Sequence, residues 1–361
     1  MRAVVFDGRE ASFVTDYPLP VAAADECLVR VELAAVCSTD REILRGYRPG
    51  FSGVMGHEFV GVVVSSPDGQ LDGQRVVGEI NLSCGECIYC TSGRPTHCAQ
   101  RRCLGINAKD GCFAEYLTLP MGLLHPVPAS IPPEVAVYTE PLAAALHITG
   151  QVDFTPQLPV AILGDGRLAL MICQSLAANT QAELTVIGRH ASKLALFSPY
   201  AKTVTSGAAA SGNAAAGNAA LANAAAGNAP AGNAARANAA SCNAAAGSAP
   251  AGSDALPAPQ SFEVVIDATG SPTSLRQAIA WTRSLGTLVL KSTYAGTTEV
   301  DMSEIVVREL TIIGSRCGDF APALRLLQSG QVDFPPLELH APGDFSAAFF
   351  SPAFKAALDF R

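Results

Sequence analysis

The sequence is poor in charged residues and in long apolar runs, and each shortage excludes a class of protein. Only 16% of its 361 residues are charged, and the formal net charge is −8. An acidic chain with few cations offers little attraction to phosphate backbones or anionic lipids, so we expect no nucleic-acid or membrane partner. No apolar stretch approaches the ~18 residues of a spanning helix. Asp7 also interrupts the N-terminal apolar run before a signal-peptide core can form. A cytoplasmic location is therefore expected.

The cysteines do not indicate a disulfide framework. The chain holds 11 of them, but it is long, has no export signal, and places four within 15 residues. Metal binding is the better interpretation of such crowding.

Residues 206–253 form a low-complexity repeat with 24 alanines, 7 asparagines and 7 glycines. Asparagine recurs every five residues from Asn213 to Asn243, a period that matches neither a helix nor a strand. A pentapeptide β-solenoid is the alternative, but alanine stands where its bulky apolar residues would be needed. We predict a disordered, functionally neutral loop whose deletion leaves folding and activity intact. Removing these 48 residues leaves 313 of the 361, enough for about two domains.

The two halves of the chain have different patterns. The first ~130 residues are short β-segments broken by glycine and proline, such as 26–36, which predicts a β-rich, barrel-like domain. From Pro159 a strand, a glycine turn, a helix over 167–178 and a strand over 184–187 form a βαβ unit. A parallel sheet is predicted to continue after the repeat, with strands at 262–267, 287–290 and 310–313 and a helix over 273–284.

Four cysteines stand in the pattern C-x2-C-x2-C-x7-C, at Cys84, Cys87, Cys90 and Cys98. Four thiolates suit tetrahedral zinc with no open coordination position, so the predicted role is structural. An iron–sulfur cluster and free thiols are the alternatives. His97, beside Cys98, is predicted to be a bystander.

A second set of potential metal ligands is dispersed. Cys37 follows the predicted strand 26–36, His57 belongs to a Gly-His-Glu motif before an apolar run, and Glu140 stands near the domain junction. Thiolate, imidazole and carboxylate leave a fourth position open, which is the composition of a catalytic zinc site. Each residue also has an ordinary interpretation: a buried apolar residue, a hydrogen-bonded core histidine and a helix N-terminal charge. A capping box formed by Thr39 and Glu42 would likewise make Thr39 a helix cap.

The segment after the strand at Pro159 fits G-x-G-x-x-G/A, ending at Ala169. The first glycine permits a tight turn, the second lets the backbone approach a pyrophosphate, and the small last residue lets helix and strand pack closely. The pyrophosphate would lie at the helix N-terminus. An ordinary glycine turn is the alternative. The predicted dinucleotide-binding turn comprises Gly164, Asp165, Gly166, Arg167 and Leu168.

The end of the second strand of the βαβ unit bears on the choice of dinucleotide. No carboxylate follows Ile187 to hold a ribose 2′-hydroxyl, whereas Gly188 provides room and Arg189 a bidentate cation for a 2′-phosphate. We therefore predict NADP in preference to NAD, with a solvated arginine as the alternative. The other residues predicted to bind the cofactor are Gly188, Arg189, His190, Thr269, Gly270, Ser292 and Thr293.

In their order, these motifs resemble the zinc-dependent medium-chain dehydrogenase/reductase family, the group of alcohol, sorbitol and glucose dehydrogenases. The resemblance implies an α/β protein with a GroES-like catalytic domain at 1–141 and 294–361 and a Rossmann doubly wound parallel sheet at 142–293. It implies hydride transfer between an alcohol, polyol or sugar hydroxyl and NAD(P). One catalytic and one structural zinc per chain, and a homodimer or homotetramer, are implied as well.

The resemblance also implies roles for single residues. Asp40 would orient His57, and Thr39 would carry the substrate proton. Ser38 stands where a glycine is common and Glu42 where some members carry a relay histidine, so the exit route of the proton is left open. The implied ligands of the catalytic zinc are Cys37, His57 and Glu140, with Glu58 beside them as a candidate exchanging ligand.

Two other functions are alternatives to a zinc-dependent dehydrogenase. A zinc-free quinone or enoyl reductase on the same fold would not need Cys37, His57 and Glu140 together, and fewer than two zinc ions per chain would favour it. A non-catalytic nucleotide-binding zinc protein would bind nucleotide without turnover. Only the zinc enzyme should lose activity by orders of magnitude in Cys37→Ser while staying folded.

Overall fold

The computed structural model describes residues 1–206, 256–293 and 297–361. The predicted repeat loop lies outside the described residues, apart from Ser206. Within the described ranges, no helix combines the length and the apolar character needed to cross a membrane.

The strands form two larger sheets and two small ones. In chain order they are β1 (Ala3–Phe6), β2 (Ala11–Val14), β3 (Glu26–Ala35), β4 (Gly53–Val54), β5 (Glu58–Ser65), β6 (Arg75–Gly78), β7 (Asn81–Leu82), β8 (Arg102–Cys103), β9 (Tyr116–Pro120), β10 (Leu124–Pro126), β11 (Pro159–Leu163), β12 (Glu183–Gly188), β13 (Lys202–Thr205), β14 (Phe262–Asp267), β15 (Thr282–Leu290), β16 (Thr311–Gly314), β17 (Glu338–His340) and β18 (Ala356–Asp359).

The helices are mostly short, and the longest follows the glycine turn. They are α1 (Ser38–Leu44), α2 (Ile88–Thr91), α3 (Pro133–Ala136), α4 (Thr139–Leu146), α5 (Arg167–Asn179), α6 (Ala191–Leu194), α7 (Ser274–Trp281), α8 (Met302–Val307), α9 (Phe320–Ser329) and α10 (Phe345–Phe350).

Strand β3 is the centre of the N-terminal β-rich part. It pairs with β5, β9 and β18 in a seven-stranded sheet. Because neighbours cover it, its C-terminal half is buried, including Leu33 and Ala35. The antiparallel register sets Ala35 opposite Glu58, so the end of β3 meets the beginning of β5.

The second large sheet is entirely parallel and has the order β13-β12-β11-β14-β15-β16. Counted from its first strand, this is 3-2-1-4-5-6, the order of doubly wound dinucleotide-binding sheets, and the predicted parallel sheet is confirmed. Helix α5 buries Leu170, Ile172 and Leu176 in the core beside it. All carboxyl ends lie at one edge of the sheet, so the loops that follow the strands are neighbours.

Two predicted boundaries differ from the structure. The helix predicted over 273–284 ends at Trp281, because β15 begins at Thr282 and pairs with β14 there. The parallel sheet also continues past the predicted domain boundary at residue 293, since β16 pairs with β15. The chain returns to the N-terminal sheet only with β17 and β18.

Candidate active site

Strand register brings three of the predicted site residues together. Cys37 follows β3, and His57 and Glu58 stand at the start of the paired strand β5. Ligand atoms of the three residues all lie within 4.8 Å of one another. Gly56 precedes them with φ +89°, and a Cβ there would lie 2.5 Å from the Phe113 ring. The motif therefore needs glycine at this position, both for conformation and for space.

The turn after β3 is closed by Asp40. Helix α1 begins at Ser38 with Cys37 as its N-cap, and Asp40 Oδ2 accepts a 2.7 Å hydrogen bond from the Cys37 backbone N–H. The interpretation of Thr39 as the cap was wrong, because the helix begins one residue before it. The Thr39 hydroxyl instead lies 3.8 Å from the Cys37 sulfur. Its position beside the thiol is compatible with the role implied for it.

Asp40 also faces the imidazole of His57. Its Oδ1 lies 3.3 Å from His57 Nδ1, although neither atom is aligned for a hydrogen bond. Burial opposes protonation of His57, but the negative charges of Asp40 and Cys37 together outweigh it and raise the pKa of His57 well above its ordinary value. Since Nδ1 faces Asp40, Nε2 is the ring nitrogen left for a metal.

Glu58 has a partner that the sequence did not suggest. Lys355, just before β18, donates a hydrogen bond from Nζ to Glu58 Oε2. Both side chains are almost fully buried, with exposed fractions of 3% and 1%. Glu58 Oε1 is buried without a hydrogen-bond partner. The only signal in the sequence was a single charge at the head of an apolar strand.

Glu140 lies near this group but is not one of the three residues whose ligand atoms converge. It stands in the first turn of α4, close enough for the charges of His57 and Glu58 to act on it. Burial raises the pKa of Glu140 to about 7, and the described residues offer it no ion pair. A partly buried carboxylate with no ion pair among the described residues is suited to a metal ion, so its implied role as a ligand stays a prediction.

The four cysteines of the loop converge as predicted. Their sulfurs lie within 4.8 Å of one another, with 3.5 Å between Cys87 and Cys90 and 3.5 Å between Cys84 and Cys98. A zinc tetrahedron with Zn–S bonds near 2.3 Å has edges of about 3.8 Å, so the spacing fits the ion. Backbone N–H groups, first that of Cys90, lower the pKa of Cys87 to about 6, which favours the thiolate. His97 is exposed and outside the cluster.

The glycine turn has the predicted form. Gly164 has φ +119°, and Gly166 is the N-cap of α5. Arg167, however, reaches the segment that follows β3: its guanidinium donates to Ser38 Oγ at 3.0 Å and to Val36 O at 3.2 Å. The turn and the Cys37 segment are therefore in direct contact.

The residues after β12 contact Asp165 of this turn. Asp165 Oδ2 accepts hydrogen bonds from the backbone N–H groups of Arg189, at 2.7 Å, and His190, at 2.8 Å. It also lies 2.9 Å from His190 Nδ1. Burial alone would raise the pKa of Asp165. The hydrogen bonds and charge of His190 outweigh this effect and lower the pKa. The carboxylate thus fixes the loop after β12.

The remaining predicted cofactor residues stand where the other strands end. Thr269 and Gly270 follow β14, and Ser292 and Thr293 follow β15, so all four lie at the same edge of the sheet as the glycine turn. The Thr269 hydroxyl is already engaged with Asp267 Oδ1 at 2.8 Å and with Ser274. Its side chain therefore shapes the turn after β14.

A buried lysine near the site was missed by the sequence analysis. Lys291 directly follows β15 and donates hydrogen bonds from Nζ to Ser315 Oγ at 2.9 Å and to Arg316 O at 2.7 Å. Burial lowers the pKa of Lys291 to about 8, against the favourable charges of Cys317 and Glu140. No local pattern marks such a residue, because its burial comes from the distant segment at 315–317.

Comparison with known proteins agrees with this architecture. Residues 23–129 match the family described as the alcohol dehydrogenase GroES-like domain, and residues 231–329 match the one described as zinc-binding dehydrogenase. L-Threonine 3-dehydrogenase of Xanthomonas campestris pv. campestris (strain B100) is 35% identical over 195 residues, covering 50% of this chain and 56% of that protein. The chain spans about half the length of the curated relatives it matches.

Solved structures match over the whole chain. A zinc-binding dehydrogenase from Sinorhizobium meliloti 1021, bound to NADP, has 25% identity and a TM-score of 0.78, covering 99% of this chain and 98% of its own. An alcohol dehydrogenase from Escherichia coli CFT073, complexed with NADH, has 23% identity and a TM-score of 0.79, covering 99% of both chains. The latter likeness concerns the fold alone.

The two family matches, the order of the parallel sheet and the two groups of residues that could hold a metal agree on one class. The chain belongs to the zinc-type medium-chain dehydrogenase/reductase family, with a GroES-like part and a Rossmann parallel sheet.

Proposed function

We propose that this chain is a zinc-dependent dehydrogenase that transfers a hydride between the hydroxyl-bearing carbon of a small alcohol, polyol or sugar and a nicotinamide dinucleotide. The observation that carries the proposal is the convergence of Cys37, His57 and Glu58 within 4.8 Å. The contact of Arg167 with Ser38 adds to it, because it joins the metal-ligand segment to the turn that would hold the dinucleotide.

The residues present fit a zinc ion. A sulfur, an imidazole nitrogen and carboxylate oxygens form the donor set, and Glu58 Oε1 is buried with its hydrogen-bonding capacity unused. Cys37 and His57 would hold the ion, with Glu140 as the third ligand and Glu58 as the candidate exchanging one. When bound, such an ion acts as a Lewis acid that lowers the pKa of an alcohol. The Cys84 cluster would hold the structural ion.

The chain's own residues position and deprotonate the substrate in this proposal. Asp40 accepts a hydrogen bond from the Cys37 backbone with one oxygen and faces the His57 ring with the other, so one carboxylate would orient two ligands. The Thr39 hydroxyl, beside the Cys37 sulfur, would take the proton from the substrate hydroxyl. Glu42 is engaged by Arg45 at 2.6 Å, so it is poorly placed to pass the proton on. The proton would leave Thr39 by another route.

The prediction of NADP rests on Arg189, whose exposed guanidinium forms no ion pair among the described residues, and on the space at Gly188. The hydrogen bonds that Asp165 accepts from the backbone N–H groups of Arg189 and His190 weigh against NADP. The solved relatives do not separate the two cofactors, since one is bound to NADP and the other to NADH. The nucleotide is thus proposed as NAD(P).

A homodimer or homotetramer is proposed as the assembly. Strand β16 is the last strand of the parallel sheet, and Ile312 on it is partly exposed together with Val306 and Val307 of α8. An open edge beside apolar side chains is suited to pairing with a second copy. Clustered thiolates need a reducing compartment, so the proposal includes the cytoplasm.

Metal analysis combined with turnover tests the proposal. The purified chain should contain two zinc ions and oxidise members of a panel of polyols, sugars and primary alcohols with NAD or NADP. Cys37→Ser should retain one zinc and its fold but lose activity by about three orders of magnitude or more. Cys173→Ser, which changes a buried thiol of α5, is the matched control and should keep both zincs and activity. A wild-type chain with one zinc, or an active Cys37→Ser, would refute the proposal.

A further inference from the structure

The end of β12 is the place that normally decides between NAD and NADP, and here a side chain of the glycine turn occupies it. In dinucleotide-binding sheets, an acidic residue about 20 residues after the glycine turn holds the ribose 2′-hydroxyl. Strand β12 ends at Gly188 and is followed by Arg189 and His190, none of which is acidic. The carboxylate at this place is that of Asp165, the second residue of the glycine turn itself.

The space at Gly188 is used by Asp165. A Cβ at Gly188 would lie 2.7 Å from Asp165 Cβ and 2.9 Å from Asp165 Oδ2. Glycine is therefore needed so that the aspartate can pack against the end of β12. The room that favoured a 2′-phosphate in the sequence is already filled by a carboxylate.

The hydrogen-bond donors of this loop are also taken. The N–H groups of Arg189 and His190 both point to Asp165 Oδ2, so a phosphate could bind them only by displacing the aspartate. Asp165 Oδ1 accepts no hydrogen bond from the described residues, and 11% of the side chain is exposed. One oxygen thus anchors the loop while the other is left for a hydroxyl donor.

From this geometry we infer that Asp165 supplies the carboxylate that β12 lacks, binds the ribose hydroxyls and selects NAD over NADP. A 2′-phosphate would meet a fixed negative charge, whereas a 2′-hydroxyl would meet a hydrogen-bond acceptor. Arg189 is exposed, so its charge is weakened more by solvent than that of the partly buried Asp165 carboxylate and does not outweigh it. The inference rests on the proposed binding of a nicotinamide dinucleotide.

Titration of the full chain with NADH and NADPH, followed by nicotinamide fluorescence, tests the inference without turnover. The wild type should bind NADH at least about tenfold more tightly than NADPH, the size expected of one charge-assisted hydrogen bond. Asp165→Asn should reduce this ratio about tenfold, with weaker NADH and tighter NADPH binding. Arg189→Ala, which leaves the carboxylate and its backbone hydrogen bonds in place, should keep the preference for NADH.

The outcomes are distinct. Tighter binding of NADPH by the wild type would overturn the inference and leave the proposed dehydrogenase function standing, and this result needs no variant. An unchanged ratio in an Asp165→Asn chain that melts at the wild-type temperature would overturn it as well. Failure of the wild type to bind either nucleotide would overturn the proposed function, and the inference with it.

Discussion

Lys355 donates a hydrogen bond to Glu58 across 297 residues of chain, and the pair is buried beside the candidate zinc ligands. The contact forms because β18 pairs with β3, and β3 in turn pairs with β5. It ties the C-terminal segment of the chain to the start of the strand that carries His57.

Lys355→Met should destabilise the protein by about 3–5 kcal/mol, because it leaves the buried Glu58 carboxylate without its cation. Lys202→Met is the matched control, since the Lys202–Glu183 pair is 71% and 53% exposed and should contribute at most about 1 kcal/mol. The double variant Lys355→Met/Glu58→Gln should recover most of the loss. Urea unfolding measures all four chains, and a cost below about 1 kcal/mol for Lys355→Met would contradict the prediction.

Glu140→Gln should lower the affinity of the catalytic zinc about 10- to 100-fold, whereas Glu58→Gln should change it less. The reason is that Glu58 already has Lys355 as its cation, while Glu140 has no ion pair among the described residues. Competition with a chromogenic chelator measures the affinity, and the Cys84 cluster serves as an internal control. If the two variants behaved in the opposite order, Glu58 would be the third ligand.

The contribution of Lys291 to the free energy of unfolding should rise between about pH 8 and pH 10.5. Its pKa is about 8 in the folded chain and 10.5 for an ordinary lysine, so in this interval the unfolded chain binds more protons than the folded one. The gain should be on the order of 3 kcal/mol and absent from Lys291→Met. Urea unfolding at several pH values gives the difference between the two chains, which would be constant across the interval if Lys291 were unperturbed.

Cys98→Ser should reduce the zinc content from two ions to one and lower the melting temperature by at least about 5 °C, since a structural ion contributes folding free energy. His97→Ala, next to it but outside the cluster, should keep both ions and the melting temperature. Metal analysis and thermal unfolding give the two results. Loss of zinc from His97→Ala would show that the histidine is a ligand.

Patterns within short segments were sufficient to predict much of the fold and part of the site. The strand, glycine turn and helix from Pro159 onward are local features, and the structure has them within a residue or two of the predicted bounds. The short spacing of the four cysteines from Cys84 to Cys98 was likewise sufficient to predict that their sulfurs converge. Cys37 and His57 could be paired only by resemblance, because the register of β3 with β5 brings them together.

The other features of the site could not be predicted, because they depend on contacts between segments that are distant in the sequence. Lys355 and Lys291 have no motif, and their roles come from partners on other strands. The prediction of NADP depends on Gly188 and Arg189 alone. In the structure Asp165, 23 residues before Gly188, packs its side chain against the same place, and no local pattern marks that contact.

The pairing of Ala35 with Glu58 has a practical consequence for redesign. The position of the candidate ligand residues is set by two paired strands, whereas most of the segment from Arg45 to Gly50, between α1 and β4, is exposed. Exchange of this exposed segment should therefore leave the relative positions of Cys37 and His57 unchanged.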